Sequence, residues 1–159
     1  MNMNVSAQLA KHFREVFFGG NWTCSNLKDN LADVTWQQAT TQVHDINTIA
    51  TLVYHMGYYV SAVLKVLEGE PLIAKDAESF SHPPISSEAD WDSMLAKLWA
   101  DAEAFAKLIE QLPEHKLWEN FTDEKYGIYY RNIHGIIEHT HYHLGQIAVV
   151  KKILQQTTE

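Results

Sequence analysis

The chain has 159 residues, of which 46% are hydrophobic and 20% are charged, and its formal net charge is −8 with neutral histidines. This length and composition indicate one globular domain over residues 1–159. The acidic balance argues against nucleic acid as a partner, because phosphate backbones are normally bound by clustered lysines and arginines. The single cysteine, Cys24, allows neither an internal disulfide nor a thiolate metal site, so any metal ligands must be nitrogen or oxygen atoms.

The first ten residues lack the basic start and the continuous apolar stretch that a secretory signal needs. No apolar run elsewhere in the sequence approaches the length that crosses a membrane. We therefore expect a cytoplasmic protein with no membrane partner.

In the first part of the chain, apolar residues spaced three and four apart predict a helix over residues 5–18. A pair of glycines ends this helix. A mixed stretch follows over residues 21–43, which we interpret as a long and partly packed connection. It has room for a short helical turn at residues 37–41.

Two further helices are predicted in the middle of the chain. Asp45 is a suitable N-cap for a helix that runs to about Glu68, where a glycine and a proline follow. The connection over residues 69–86 contains prolines and is long enough to cross one end of a helical bundle. Ser87 opens a capping pattern for a third helix, which ends before Pro113.

The fourth predicted helix runs from Ile128 to Leu154 and carries four histidines. On a helical wheel at ~100° per residue, His139 and His143 fall on the apolar face, and the other two histidines fall on the outer face. Because His139 and His143 are four residues apart, their imidazoles project a single turn apart, as two ligands of one ion require. Together the four helices predict an all-α fold.

The pair formed by His139 and His143 admits two interpretations. A single buried histidine is most often a neutral imidazole with a protein partner. Two adjacent ones need partners for four ring nitrogens, and a metal ion satisfies one nitrogen of each. We therefore predict a metal site and place its third ligand at His55, near the middle of the second helix and at the edge of its buried arc. Thr140 follows His139, so the glutamate of the zinc metalloprotease motif is absent.

Gln146 lies one turn beyond His143 on the same predicted face. Two roles are open for it: a hydrogen bond to a bound ligand, or a packing and supporting role beside the histidines. The tyrosines near these positions are interpreted as packing residues, so the sequence assigns no general base.

Two segments of the chain resemble the DinB/YfiT-like family, which belongs to the DinB superfamily of metal-dependent proteins. They are residues 49–55, with the sequence IATLVYH, and residues 139–147, with the sequence HTHYHLGQI. The resemblance covers nearly the whole chain. It implies a four-helix bundle of up-down-down-up order with a long crossover, a homodimer, and a zinc, nickel or iron site on His55, His139 and His143.

Characterised relatives in that family include transferases and isomerases that use low-molecular-weight thiols such as bacillithiol or mycothiol. The resemblance therefore implies a small-molecule substrate. We expect an enzyme, either a transferase or a hydrolase, in which a divalent metal ion activates a thiol or a water molecule. Two alternatives stay open: a metal-stabilised binding or sensing protein without turnover, and a helical interaction module without metal.

Overall fold

The computed structural model describes residues 4–156 and, within that range, contains helices and connections but no strand. This confirms the all-α prediction. In chain order the α-helices are α1 (Val5–Phe18), α2 (Leu27–Leu31), α3 (Trp36–Thr40), α4 (Ile49–Leu67), α5 (Glu88–Gln111) and α6 (Tyr129–Gln156). Short 3-10 helices lie at Asp76–Phe80, Glu114–Trp118 and Glu124–Tyr126.

The hydrophobic core lies between the four long helices, because α5 and α6 each pack against both α1 and α4. Phe13 of α1 and Phe105 of α5 are fully buried, and their ring centroids lie 4.7 Å apart. Met56 of α4 and Ile137 of α6 are buried in the same core. Burial of one such side chain contributes roughly 1.5–3 kcal/mol, so these contacts hold α4 and α6 side by side.

Helix α4 begins later than the sequence predicts. Its N-cap is Thr48, whose hydroxyl oxygen accepts a hydrogen bond from the backbone N–H of Thr51 at 3.1 Å. Val43 and Ile46 form an isolated bridge, in which the backbone N–H of Ile46 donates to the carbonyl oxygen of Val43 at 3.1 Å. The chain is therefore still in a turn where the sequence predicts the first helical residues. The prediction of Asp45 as the N-cap is therefore wrong, although the rest of the helix agrees with it.

The other helix predictions agree closely with the structure. Ser87 is confirmed as the N-cap of α5, since its hydroxyl accepts the backbone N–H of Asp90. The predicted turn at residues 37–41 corresponds to α3, and α2 is a short helix that the sequence did not predict. Within residues 4–156, none of the helices has both the length and the apolar character needed to cross a membrane.

The connection between α4 and α5 folds back onto α4 through its 3-10 helix at Asp76–Phe80. Two tyrosines of α4 hold it there. The hydroxyl oxygen of Tyr58 accepts a hydrogen bond from the backbone N–H of Lys75 at 2.8 Å. The hydroxyl of Tyr59 donates a hydrogen bond to the Asp76 carboxylate at 2.8 Å. These bonds place Ser79 and the segment around it next to α4.

Candidate metal centre

His55 of α4 meets His139 and His143 of α6 where the two helices pack. The Nε2 atom of His139 lies 3.0 Å from that of His55 and 3.0 Å from that of His143. One ring nitrogen of each histidine lies within 4.8 Å of the others. Two nitrogens that bind one zinc ion at ~2.0–2.1 Å are about 3.0–3.4 Å apart, so the two 3.0 Å separations at His139 fit a shared ion.

Helix geometry explains why these three side chains converge. His139 and His143 are four residues apart in α6, so their rings lie one above the other, with centroids 4.5 Å apart. His55 lies in α4 next to the buried Met56 and faces α6. His55 and His143 are 4% and 7% exposed, whereas His139 is only partly buried and is therefore the histidine nearest to solvent.

Ser79 determines which ring nitrogen of His55 carries the proton. The Ser79 hydroxyl lies 2.8 Å from His55 Nδ1 and donates its own proton to the Asp76 carbonyl oxygen, 2.6 Å away. The hydroxyl oxygen therefore accepts a hydrogen bond from Nδ1–H, because the only hydrogen of the hydroxyl is already donated to Asp76. The Nε2 atom of His55 is left as an unprotonated lone pair that points at His139.

Gln146 fixes His143 in the same way. Its side-chain oxygen lies 2.6 Å from His143 Nδ1, and an amide oxygen only accepts hydrogen bonds. Nδ1 of His143 therefore carries the proton, and its Nε2 is a second lone pair directed at His139. Of the two roles open for Gln146, the structure shows a hydrogen bond to a histidine.

Two lone pairs thus converge on Nε2 of His139. If Nε2 of His139 carries a hydrogen, it can form a hydrogen bond to Nε2 of either His55 or His143. The Nε2 atom of the remaining histidine then has no hydrogen-bond donor. One metal ion would accept all three lone pairs at once, with both remaining Nδ1 protons already bound. This set of donors fits a divalent ion such as zinc, nickel or iron, all of which accept imidazole.

The electrostatics of the cluster favour neutral imidazoles. Burial, followed by the proximity of His143 and His55, lowers the pKa of His139 to about 4, while Asp76 opposes the change. Burial is also the main cause that lowers the pKa of His55. Metal ions bind the neutral form of histidine, so these two residues are in the ligand form near neutral pH.

Aromatic side chains surround the histidines. Phe80 stacks on His55 with ring centroids 4.1 Å apart and an interplanar angle of 19°. Tyr59 meets His139 edge to face, with ring centroids 5.3 Å apart. Phe80 therefore covers one face of the His55 ring, whereas His139 is only partly buried.

A cavity of about 690 Å³ opens beside His55 and His139. This volume lies within the range of roughly 300–1,000 Å³ that is typical of small-molecule sites. Its walls combine apolar and aromatic side chains with a few polar ones. The polar residues in the lining, besides the two histidines and Tyr59 and Tyr126, are Asp76, Arg131, Asn132 and Glu138.

The other histidines lie outside the cluster. His134 pairs with Glu138 on the outer side of α6, with 3.4 Å between Nδ1 and Oε1. The rings of His12 and His141 are 6.1 Å apart, between α1 and α6. Glu138 is therefore engaged by His134 and is not part of the group that could hold an ion.

Sequence analysis did not find Ser79 or Arg131. Ser79 contacts His55 only because of how the connection folds, and neither its own type nor its spacing predicts that contact. Arg131 precedes His139 by two turns of α6, and this spacing is visible in the sequence, although the sequence analysis assigns Arg131 no role in the site. Its position in the lining of the cavity is a finding of the structure.

Comparisons of the chain with protein-family models, with curated proteins and with solved structures gave no match. The class of protein is therefore defined by its fold and by its site. It is an all-helical protein with a buried histidine triad that is positioned to hold a metal ion.

Proposed function

We propose that this protein is a divalent-metal-dependent enzyme that acts on a small molecule, with its ion held by His55, His139 and His143. The observation that carries the proposal is that the unprotonated Nε2 atoms of His55 and His143 both point at Nε2 of His139. The adjoining cavity supports an enzyme because it gives a small molecule direct access to the ligand that is nearest to solvent.

When bound, a zinc, nickel or iron ion would supply a Lewis acid that makes a water molecule or a thiol nucleophilic near neutral pH. The protein contributes the geometry. Ser79 and Gln146 hold two imidazoles in the tautomer that presents Nε2, and Phe80 covers His55. These roles suit hydrolysis or thiol transfer, with a low-molecular-weight thiol as the substrate in the second case.

The proposal extends to the fold and the family. The packing of α5 and α6 against both α1 and α4 supports a four-helix bundle of up-down-down-up order, with the connection between α4 and α5 as its long crossover. Together with the two matching segments, this supports membership of the DinB/YfiT-like family. A cytoplasmic homodimer belongs to the same proposal.

A second candidate is a binding or sensing protein in which the ion clamps α4 to α6 without turnover. The burial of His55 and His143 favours it. The two candidates differ in whether the ion keeps an exchangeable water ligand that faces the cavity. Water relaxation measured with a paramagnetic ion in the site distinguishes them, because only the enzyme requires rapid exchange at an open position.

The first test is the metal content of untagged protein purified without metal-affinity resin, measured by plasma mass spectrometry. We expect close to one ion per chain in the wild type and none in the combined His55→Ala, His139→Ala and His143→Ala variant. The matched control replaces the outlying His12, His134 and His141 by Ala and keeps the metal. Circular dichroism checks that both variants are folded. A wild type that takes up no zinc, nickel or iron even on reconstitution would refute the proposal.

Ser79→Ala should weaken metal binding about 10- to 100-fold, the usual effect of removing a hydrogen bond that supports a ligand. The variant leaves His55 Nδ1 without its acceptor, so the tautomer that presents Nε2 is no longer favoured. Competition with a chromophoric chelator measures the affinity. Ser81→Ala is the control, because that hydroxyl donates to the Ala77 carbonyl and not to a histidine. Equal affinities in the two variants would contradict the assigned role of Ser79.

A further inference from the structure

Among the described residues that line the cavity beside the histidines, Arg131 alone carries a fixed positive charge. The two carboxylates in the lining already have partners in the protein. Asp76 accepts a hydrogen bond from Tyr59 at 2.8 Å, and Glu138 pairs with His134. Arg131 is therefore the one cationic side chain in the lining with which an anionic group of a ligand can pair.

The side chain of Arg131 is positioned by the turn that precedes α6. Its Nη1 atom donates to the carbonyl oxygen of Tyr126 at 3.0 Å. Gly127 has a φ of 74°, and a Cβ atom built there would lie 3.2 Å from Cδ of Arg131. Glycine at this position thus serves both the turn and the close approach of the arginine.

Arg14, the only other arginine, shows the contrast. Its guanidinium binds Glu103 and Glu110 at 3.1 Å each. Within residues 4–156, no carboxylate pairs with Arg131, and its guanidinium donates to the neutral carbonyl of Tyr126. A guanidinium has five N–H donors in a planar fork that matches a carboxylate, so most of the donors of Arg131 remain available.

Gly135 keeps the space between Arg131 and His139 open. The three residues follow one another at intervals of four on α6, and therefore share a face. A Cβ atom added at Gly135 would meet no atom within 4 Å. Glycine inside a helix costs roughly 0.5–1 kcal/mol relative to alanine, and here it leaves a continuous path along the cavity wall.

We propose that Arg131 is a specificity-determining residue that binds a carboxylate of the substrate, while another part of the same molecule reaches the histidines. This inference rests on the proposed function. Arg131 and His139 are eight residues apart, or about 12 Å along the helix, so the substrate is an elongated carboxylic acid. One guanidinium carries a single positive charge and so suits a carboxylate better than a phosphate dianion. A phosphate would need further cationic side chains, which the lining lacks.

The test uses cobalt-loaded protein and two thiols of equal length, mercaptohexanoate and mercaptohexanol. The absorption that arises when sulfur binds cobalt reports their affinities. We expect the wild type to bind the carboxylate about tenfold more tightly, the scale of one hydrogen-bonded charge pair. Arg131→Gln should remove this preference, and Arg131→Lys should keep part of it. Lys125→Gln, which removes a nearby cation outside the cavity, is the control for long-range attraction.

Chain length and Gly135 provide two further readouts. Mercaptoacetate is too short to span the path, so it should bind no more tightly in the wild type than in Arg131→Gln. Gly135→Leu should weaken mercaptohexanoate binding by tenfold or more without changing the spectrum of bound cobalt. Gly145→Leu is its matched control, since Gly145 is also inside α6, has open space around its Cβ position and lies outside the cavity.

The outcomes separate the inference from the proposed function. Equal binding of mercaptohexanoate and mercaptohexanol by wild-type protein that holds cobalt overturns the inference alone. A preference for mercaptohexanoate over mercaptohexanol that persists in Arg131→Gln overturns it as well. The same holds if mercaptoacetate loses as much affinity in Arg131→Gln as mercaptohexanoate does. Failure of the wild type to bind cobalt overturns the proposed function and the inference together.

Discussion

Zinc should raise the midpoint of thermal unfolding of metal-free protein by roughly 5–10 °C when present at 100 times its dissociation constant, and His139→Ala should abolish this increase. The reason is geometric. His139 is the middle member of the cluster, with its Nε2 atom 3.0 Å from the same atom of both other histidines. Without His139, the remaining ligand nitrogens are those of His55 in α4 and His143 in α6, and the third ligand that lies between them is lost.

The measurement is a thermal scan by circular dichroism with zinc and with excess chelator. His141→Ala is the control, because it removes a histidine two residues away whose ring lies beside His12 and not in the cluster. We expect this variant to keep the whole zinc-dependent increase. A similar increase in His139→Ala would contradict the assignment of His139 as a ligand.

Metal-free protein should lose stability as the pH falls from about 6.5 towards 4. The pKa of His139 is about 4 in the folded protein, against an ordinary value of 6.5. The unfolded chain therefore takes up a proton over this range and the folded protein does not. The neutral imidazole of His139 thus contributes to the free energy of unfolding fully above pH 6.5, and this contribution has been lost at pH 4. Between pH 7 and pH 5 the loss in the free energy of unfolding is about 1–2 kcal/mol.

Urea unfolding at a series of pH values tests this dependence in the presence of chelator. Other groups also titrate as the pH falls, so the informative quantity is the difference between wild type and His139→Gln, which has no titrating side chain at that position. The stability of the variant should fall less steeply below pH 6.5. Parallel curves for the two proteins would show that His139 is not held in its neutral form.

The parts of the site that the sequence could predict are those that depend on helical periodicity. The spacing of His139 and His143 determines that they share a face, and the position of His55 at the edge of a buried arc directs it towards a neighbouring helix. Gln146 was placed beside His143 by the same rule. Each of these inferences uses only residues within a few turns of one helix, where local geometry is regular.

The features that were missed or wrong depend on how connections fold. Asp45 and Thr48 are both good N-caps, and the choice between them follows from the bridge between Val43 and Ile46, a contact that local propensity does not record. Ser79 reaches His55 across 24 residues of sequence. The role of Arg131 depends on the turn at Gly127 and on a cavity that exists only after the helices have packed.

His55 and His139 are separated by 84 residues of sequence yet touch in the folded protein. An ion shared between them would join the chain to itself across that distance, much as a disulfide does. In the chain-entropy account, a covalent link that closes a loop of this length stabilises the native state by about 4–5 kcal/mol. The chain has one cysteine and cannot form such a link within itself. The histidine triad would give it a cross-link that chelation or acid can open and that added metal can restore.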